Sequence, residues 1–92
     1  MELVVSEAAR SCFRSEWGYT DGDCVRIFVR YVSGGQDPYG FGIMKDDPMD
    51  PAVRVEDDRL TFYMESKDIW FLERKKLTID CRDGDIVFTV EA

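Results

Sequence analysis

From Cys24 to Tyr31 the chain alternates without a break, with Val25, Ile27, Val29 and Tyr31 on one side of an extended backbone and Arg26, Phe28 and Arg30 on the other. A period of two over eight residues fits a half-buried strand and does not fit a helix. The strand runs straight into Ser33–Gly40, whose glycines favour a tight loop. The same alternation returns in Val53 and Val55 against Arg54 and Glu56, and in Leu60, Phe62 and Met64 against Thr61, Tyr63 and Glu65. A polar turn at Asp57 to Arg59 lies between these two runs, which predicts a hairpin.

The remaining segments fill in around these strands. Leu3–Val5 is a short apolar opening, and Ser6 is placed to cap a helix over Glu7–Glu16 whose Ala9, Cys12, Phe13 and Trp17 share one face. After Phe41–Lys45, a further extended run, Asp46-Asp47-Pro48-Met49-Asp50-Pro51 forbids regular structure and reads as a surface loop. Ser66 offers a second N-cap, with Asp68 in the first turn of a short amphipathic helix over Lys67–Leu72. Leu77–Cys81 and Ile86–Val90 are two closing strands joined through Asp83-Gly84, a strong hairpin dipeptide. The expected class is α+β: one domain over residues 1–92, with short strands and two flanking helices.

Composition narrows the functions open to such a domain. With 45% hydrophobic residues the chain can fill one core, while a net charge of -7 repels phosphate backbones and anionic lipid, so nucleic acid and membranes are not expected partners. No apolar run reaches the roughly 18 residues of a membrane span. Glu2 stands where a signal peptide would be basic, so a cytoplasmic location is expected. The absence of histidine excludes Ser-His and Cys-His nucleophilic arrangements and His-metal clusters. Cys12, Cys24 and Cys81 are odd in number and far apart, without a CxxC pair, and read as reduced, packed thiols.

Several residue groups invite chemistry. The two DGD segments, Asp21-Gly22-Asp23 and Asp83-Gly84-Asp85, lack the twelve-position calcium loop and are explained by turns entering strands. Asp46, Asp47 and Asp50 have no spacing that fixes a coordination geometry. Arg26 and Arg30, sharing a strand face around Phe28, are candidate anion ligands through bidentate guanidinium bonds, set against simple pairing with some of the 19 acids. Trp17 and Trp70 are expected in the core first and at an interface second. Cys81, between Asp80 and Arg82, has no general base nearby in sequence, so nucleophilic catalysis is not expected there.

In order, VRIFVR, SGG, the DDPMD loop, the hairpin ending at Glu65, SKDIWFL and LTID resemble the HesB/IscA-like family of A-type iron-sulfur biogenesis proteins, in particular its short HesB/YadR/YfhF branch. The resemblance spans nearly the whole chain. It implies a mixed β pseudobarrel or sandwich of short strands with helices at its flank. It also implies three cysteine ligands for iron or a cluster, one in the loop after the VRIFVR strand and two in a C-terminal CxC tail. Gly35 stands about where the loop cysteine belongs, and the sequence closes on Val90-Glu91-Ala92 without the CxC pair. A glycine offers no side-chain ligand, and Cys12, Cys24 and Cys81 match none of the three places.

The expected role is therefore a non-enzymatic binding or accessory module, without a cofactor, that keeps the fold and has lost the metal or cluster site. Its candidate contact loop comprises Ser33, Gly34, Gly35, Gln36 and Tyr39, with the acidic Asp46–Asp50 loop beside it. A protein partner is expected, with iron-sulfur assembly machinery one candidate. The alternative is an iron-sulfur scaffold or carrier whose ligands come from a partner or from the unconventional cysteines. A small-ligand site using Arg26, Arg30, Gln36 and Tyr39 is the remaining reading.

Overall fold

A computed structural model describes residues 2–31, 39–57, 59–71 and 75–91. Among the described residues two sheets are built from seven strands: β1 (Glu2–Val5), β2 (Cys24–Tyr31), β3 (Tyr39–Lys45), β4 (Pro51–Asp57), β5 (Leu60–Glu65), β6 (Lys76–Arg82) and β7 (Asp85–Glu91). One sheet has the order β1-β6-β7 and the other β3-β2-β5-β4. The one α-helix among the described residues, α1 (Glu7–Ser15), follows β1.

Local chemistry sets these elements. The Ser6 side chain accepts from the Ala9 N–H at the start of α1, and its hydroxyl donates to Asp80 on β6 at 2.7 Å, so one residue caps the helix and ties it to the sheet. Both expected hairpins form. β4 pairs antiparallel with β5, and β6 with β7, the latter through Asp83 and Gly84, whose φ of 53° and 83° are the left-handed values a tight two-residue turn requires. The inward side of the alternation is the core: Val25 and Ile27 from β2, and Leu60, Phe62 and Met64 from β5, pack with Leu3, Val5, Ala9, Phe13, Leu77 and Ile79.

Two pairings were not legible in the sequence. β1 runs parallel to β6, with Leu3 opposite Leu77, and β2 runs parallel to β5, with Val25 opposite Phe62. Both join segments distant along the chain.

The second helix expected over Lys67–Leu72 does not form; the described part is turns followed by a single 3₁₀ turn at Ile69–Phe71. The residues assigned to its cap are engaged elsewhere. Both the N–H and the hydroxyl of Ser66 donate to the Asp50 carbonyl, at 2.9 and 3.1 Å, and the Asp68 carboxylate accepts from Arg26 at 2.8 Å. A segment this short has little helical stability to set against those bonds. Trp17 and Trp70, expected in the core, are 41% and 55% exposed. For Trp17 the cause is the helix end: α1 stops at Ser15, and Gly18 at φ 74° turns the chain so that the Tyr19 N–H meets the Phe13 carbonyl at 3.0 Å. Among the described residues no helix is long and apolar enough to cross a membrane.

Candidate contact surface

Register places the residues around the candidate loop. Arg26, Phe28 and Arg30 of β2 lie opposite Met44, Gly42 and Gly40 of β3, and Tyr31 opposite Tyr39, from which the loop departs. Ser33, Gly34, Gly35 and Gln36 lie outside the described residues, and of Tyr39 only the backbone, at the start of β3, is described.

The two candidate anion ligands have different surroundings. Arg26 is mostly covered, bonded to Asp68 at 2.8 Å with Asp46 at 3.9 Å, and its guanidinium lies 5.7 Å from the centre of the Phe28 ring. The Asp68 hydrogen bond holds Arg26 charged above even its ordinary range, against the opposing effect of burial. Its charge is thus met inside the protein. Arg30 is exposed and has no ion pair among the described residues.

Arg26 belongs to a polar layer that fixes the acidic loop. Tyr63, opposite Arg54 on β4 and Arg26 on β2, is fully buried and donates to the Asp46 carbonyl at 2.9 Å, and burial pushes its phenol up to about 12. Glu65, 6% exposed, accepts from the N–H groups of Met49 and Asp50 at 3.1 and 2.8 Å. A carboxylate this buried stays satisfied through such charge-assisted bonds. The loop is therefore pinned to β5, while Met49 projects from it at 89% exposure.

Arg30 borders a cleft of about 250 Å³ that it lines with Trp17, Phe28, Phe41, Gly42, Ile43 and Phe88. Its walls come from β3 and β7, edge strands of the two sheets, whose Phe41 and Phe88 rings lie 5.2 Å apart, and from the chain just past α1. Gly42 is needed here: a Cβ at this position would fall 2.3 Å from the Phe28 ring. The cleft is smaller than the roughly 300–1,000 Å³ of a drug-sized ligand site and suits one or two side chains. Aromatic walls beside an arginine that is unpaired among the described residues are the composition of a protein-binding hot spot.

Sequence reasoning placed Trp17 in the core and missed that it lines one cleft with Phe41 and Phe88. Phe28, apolar on the arginine face of β2, was the visible signal. A second groove, along α1, is lined by Glu7, Arg10, Ser11, Arg14, Ser15 and Asp57. Its lining residues are charged or hydroxylic, and Arg10 and Arg14 are paired within the protein, with Asp57 and Asp21.

Among the described residues the donor set does not fit an iron-sulfur cluster. Among the described residues no group of three or more cysteine or carboxylate side chains is gathered for a metal ion. Cys24 opens β2 beside Thr61, whereas Cys12 and Cys81 sit on α1 and β6. Burial and the neighbouring Cys81 push the Cys12 thiol up to about 11, the opposite of what a thiolate ligand needs.

Comparison with known proteins first defines the class. The fold is that of SufA of Escherichia coli, a protein involved in biosynthesis of iron-sulfur clusters: its crystal structure superposes with a TM-score of 0.62 over 99% of this chain and 85% of SufA, at 15% identity. This is a SufA-like fold, mostly β, with one short helix among the described residues. No family model matches the chain. Sequence then places it more closely. It is 33% identical over 81 residues, 86% of this chain and 85% of the relative, to the pyruvate dehydrogenase inhibitor of Bacillus subtilis (strain 168), and the chain belongs to that protein's family.

Proposed function

We propose that this chain is a non-enzymatic HesB-like binding module that inhibits a pyruvate dehydrogenase by docking on it, and that it has lost the family's metal or cluster ligands. The observation carrying this reading is the 33% identity that extends over 85% of the Bacillus subtilis inhibitor. The glycine at position 35 and the scattered cysteines support the loss of ligands, in keeping with a short HesB branch that retains the fold alone. The cleft formed by Trp17, Phe28, Phe41 and Phe88 supplies the contact surface, with Arg30 at its rim receiving a carboxylate of the enzyme. A protein with a net charge of -7 needs such a local cation to meet an acidic partner group.

The test is a titration of the purified chain into the pyruvate dehydrogenase of its own organism, followed by NADH formation. Saturable inhibition at near-stoichiometric ratios, weakened at least tenfold by Phe88→Ala with Trp17→Ala, supports the proposal. Undiminished activity at a hundredfold excess refutes it.

The SufA-like fold favours a second reading, cluster biogenesis with ligands supplied by a partner. Anaerobic reconstitution with iron and sulfide separates the two: a stable chromophore with bound metal favours the second, a colourless protein the first.

A further inference from the structure

Two cysteines far apart in sequence come together where α1 crosses the closing hairpin. Cys12 is 4% exposed on the inner face of α1, and its thiol points at the β6–β7 turn, donating to the Gly84 carbonyl at 3.6 Å. Cys81 is half-buried near the end of β6, on the same side of the strand as the core residues Leu77 and Ile79 and three residues before Gly84, so its thiol approaches Cys12 beside that turn. Cys24, on the other sheet, takes no part. We propose that Cys12 and Cys81 are a modification site, closing to an intramolecular disulfide when the protein meets a hydroperoxide.

The exposures assign the order of events. Cys81, the more accessible thiol, attacks the terminal oxygen of the hydroperoxide; its S–O bond forms as the O–O bond breaks, and the alcohol leaves with the thiol proton. Cys12 then attacks the Cys81 sulfur. The S–S bond forms, the S–O bond breaks, and hydroxide leaves as water with the Cys12 proton. Two thiols are oxidised by two electrons and one hydroperoxide is reduced to alcohol and water. Cys12, 4% exposed, is shielded from the hydroperoxide and acts as the resolving partner, giving up its proton as it attacks. A dithiol reductant reverses the change by exchange.

The bond would staple α1 to β6 and close a long loop, constraining the unfolded chain strongly. It would also anchor the helix end that precedes Trp17 at the wall of the cleft. Neither the chemistry nor its test depends on the partner proposed above.

The experiment treats the reduced full-length protein, and a Cys24→Ser variant, with one to five equivalents of tert-butyl hydroperoxide. The expected result in both is a mass loss of about 2 Da, a Cys12–Cys81 linked peptide in a non-reducing digest, recovery with dithiothreitol, and a melting temperature raised by about 10 °C. Cys12→Ser should stop at a Cys81 sulfenic acid trapped by dimedone. A linkage through Cys24 or between two chains overturns the proposal, as does sulfinic or sulfonic acid at Cys81 with Cys12 left free. A Cys12–Cys81 bond that lowers the melting temperature also overturns it, because the two thiols would then have to be forced together.

Discussion

Replacing Gly42 by alanine tests whether the wall of the cleft is built as described. The added methyl would lie 2.3 Å from Cζ of Phe28 and 2.6 and 2.9 Å from its two Cε atoms. Carbons in contact sit about 3.5–4.0 Å apart, so the ring has to withdraw by roughly 1 Å or more. Withdrawal takes the side chain off its preferred rotamer, which costs about 0.5–1.5 kcal/mol. It also gives up much of the contact with the Arg26 guanidinium, worth about 0.5–1 kcal/mol. Alanine in a strand returns about 0.5–1 kcal/mol by stiffening the unfolded chain. The balance is a destabilisation of about 1 kcal/mol, or a melting temperature lower by about 4–8 °C, measured by thermal and urea denaturation. The decisive arm is the same substitution in a Phe28→Ala background. With the ring gone its three closest atoms no longer resist the methyl, and Gly42→Ala should become stabilising by about 0.5–1 kcal/mol. A substitution that is neutral with the ring present, or whose sign does not reverse without it, refutes the reasoning.

Other consequences can be checked with standard measurements. Asp68→Ala strands the covered Arg26 charge and should cost about 3 kcal/mol, whereas Arg26→Met with Asp68→Leu should recover most of it in chemical denaturation; equal losses in both would contradict the pairing. Asp80 is held below the ordinary carboxylate range by the Ser6 hydroxyl and then the Cys81 N–H, so its contribution is present above about pH 4 and lost as pH falls through its folded value. Ser6→Ala should flatten that acid-side slope in pH-dependent melting and, by removing the helix cap, cost about 1 kcal/mol at neutral pH. Because Tyr63 titrates in the folded protein at about 12 rather than 10, stability should fall as pH rises from 10 towards 12. The absorbance titration at 295 nm should show a late step that Tyr63→Phe removes, and a single transition near 10 would contradict its burial.

Much of the fold was legible because its strands announce themselves at short range. Val25-Ile27-Val29 and Leu60-Phe62-Met64 face the core as their period required, and Asp83-Gly84 turns between β6 and β7 as its chemistry required. What stayed hidden depends on segments distant in sequence. Nothing near Leu3 or Val25 tells that β1 will lie beside β6, or β2 beside β5, in parallel. The lost second helix has the same origin, since Ser66 and Asp68 carry a helix-start pattern but find better partners in the Asp50 carbonyl and Arg26. The cleft was half legible: Phe28 and Arg30 were visible on one face of β2, but Trp17 reaches them only because the chain turns at Gly18 and because β3 and β7 come together. The placing of Cys12 against the β6–β7 turn, near Cys81, follows from the β1–β6 pairing and could not have been read from their spacing. The candidate contact residues Ser33 to Gln36 lie outside the described residues.

The central claim is that this SufA-like fold serves as a stoichiometric inhibitor of a pyruvate dehydrogenase through the aromatic cleft. Isothermal titration of the purified chain into that enzyme tests it most directly, using the wild-type chain and the Trp17→Ala, Phe88→Ala variant after circular dichroism has shown the variant folded. The account predicts saturable binding by the wild type, with a negative heat-capacity change from burying the aromatic walls, and at least tenfold weaker binding by the variant. No heat of binding from the wild type, or equal affinity from the folded variant, would contradict it.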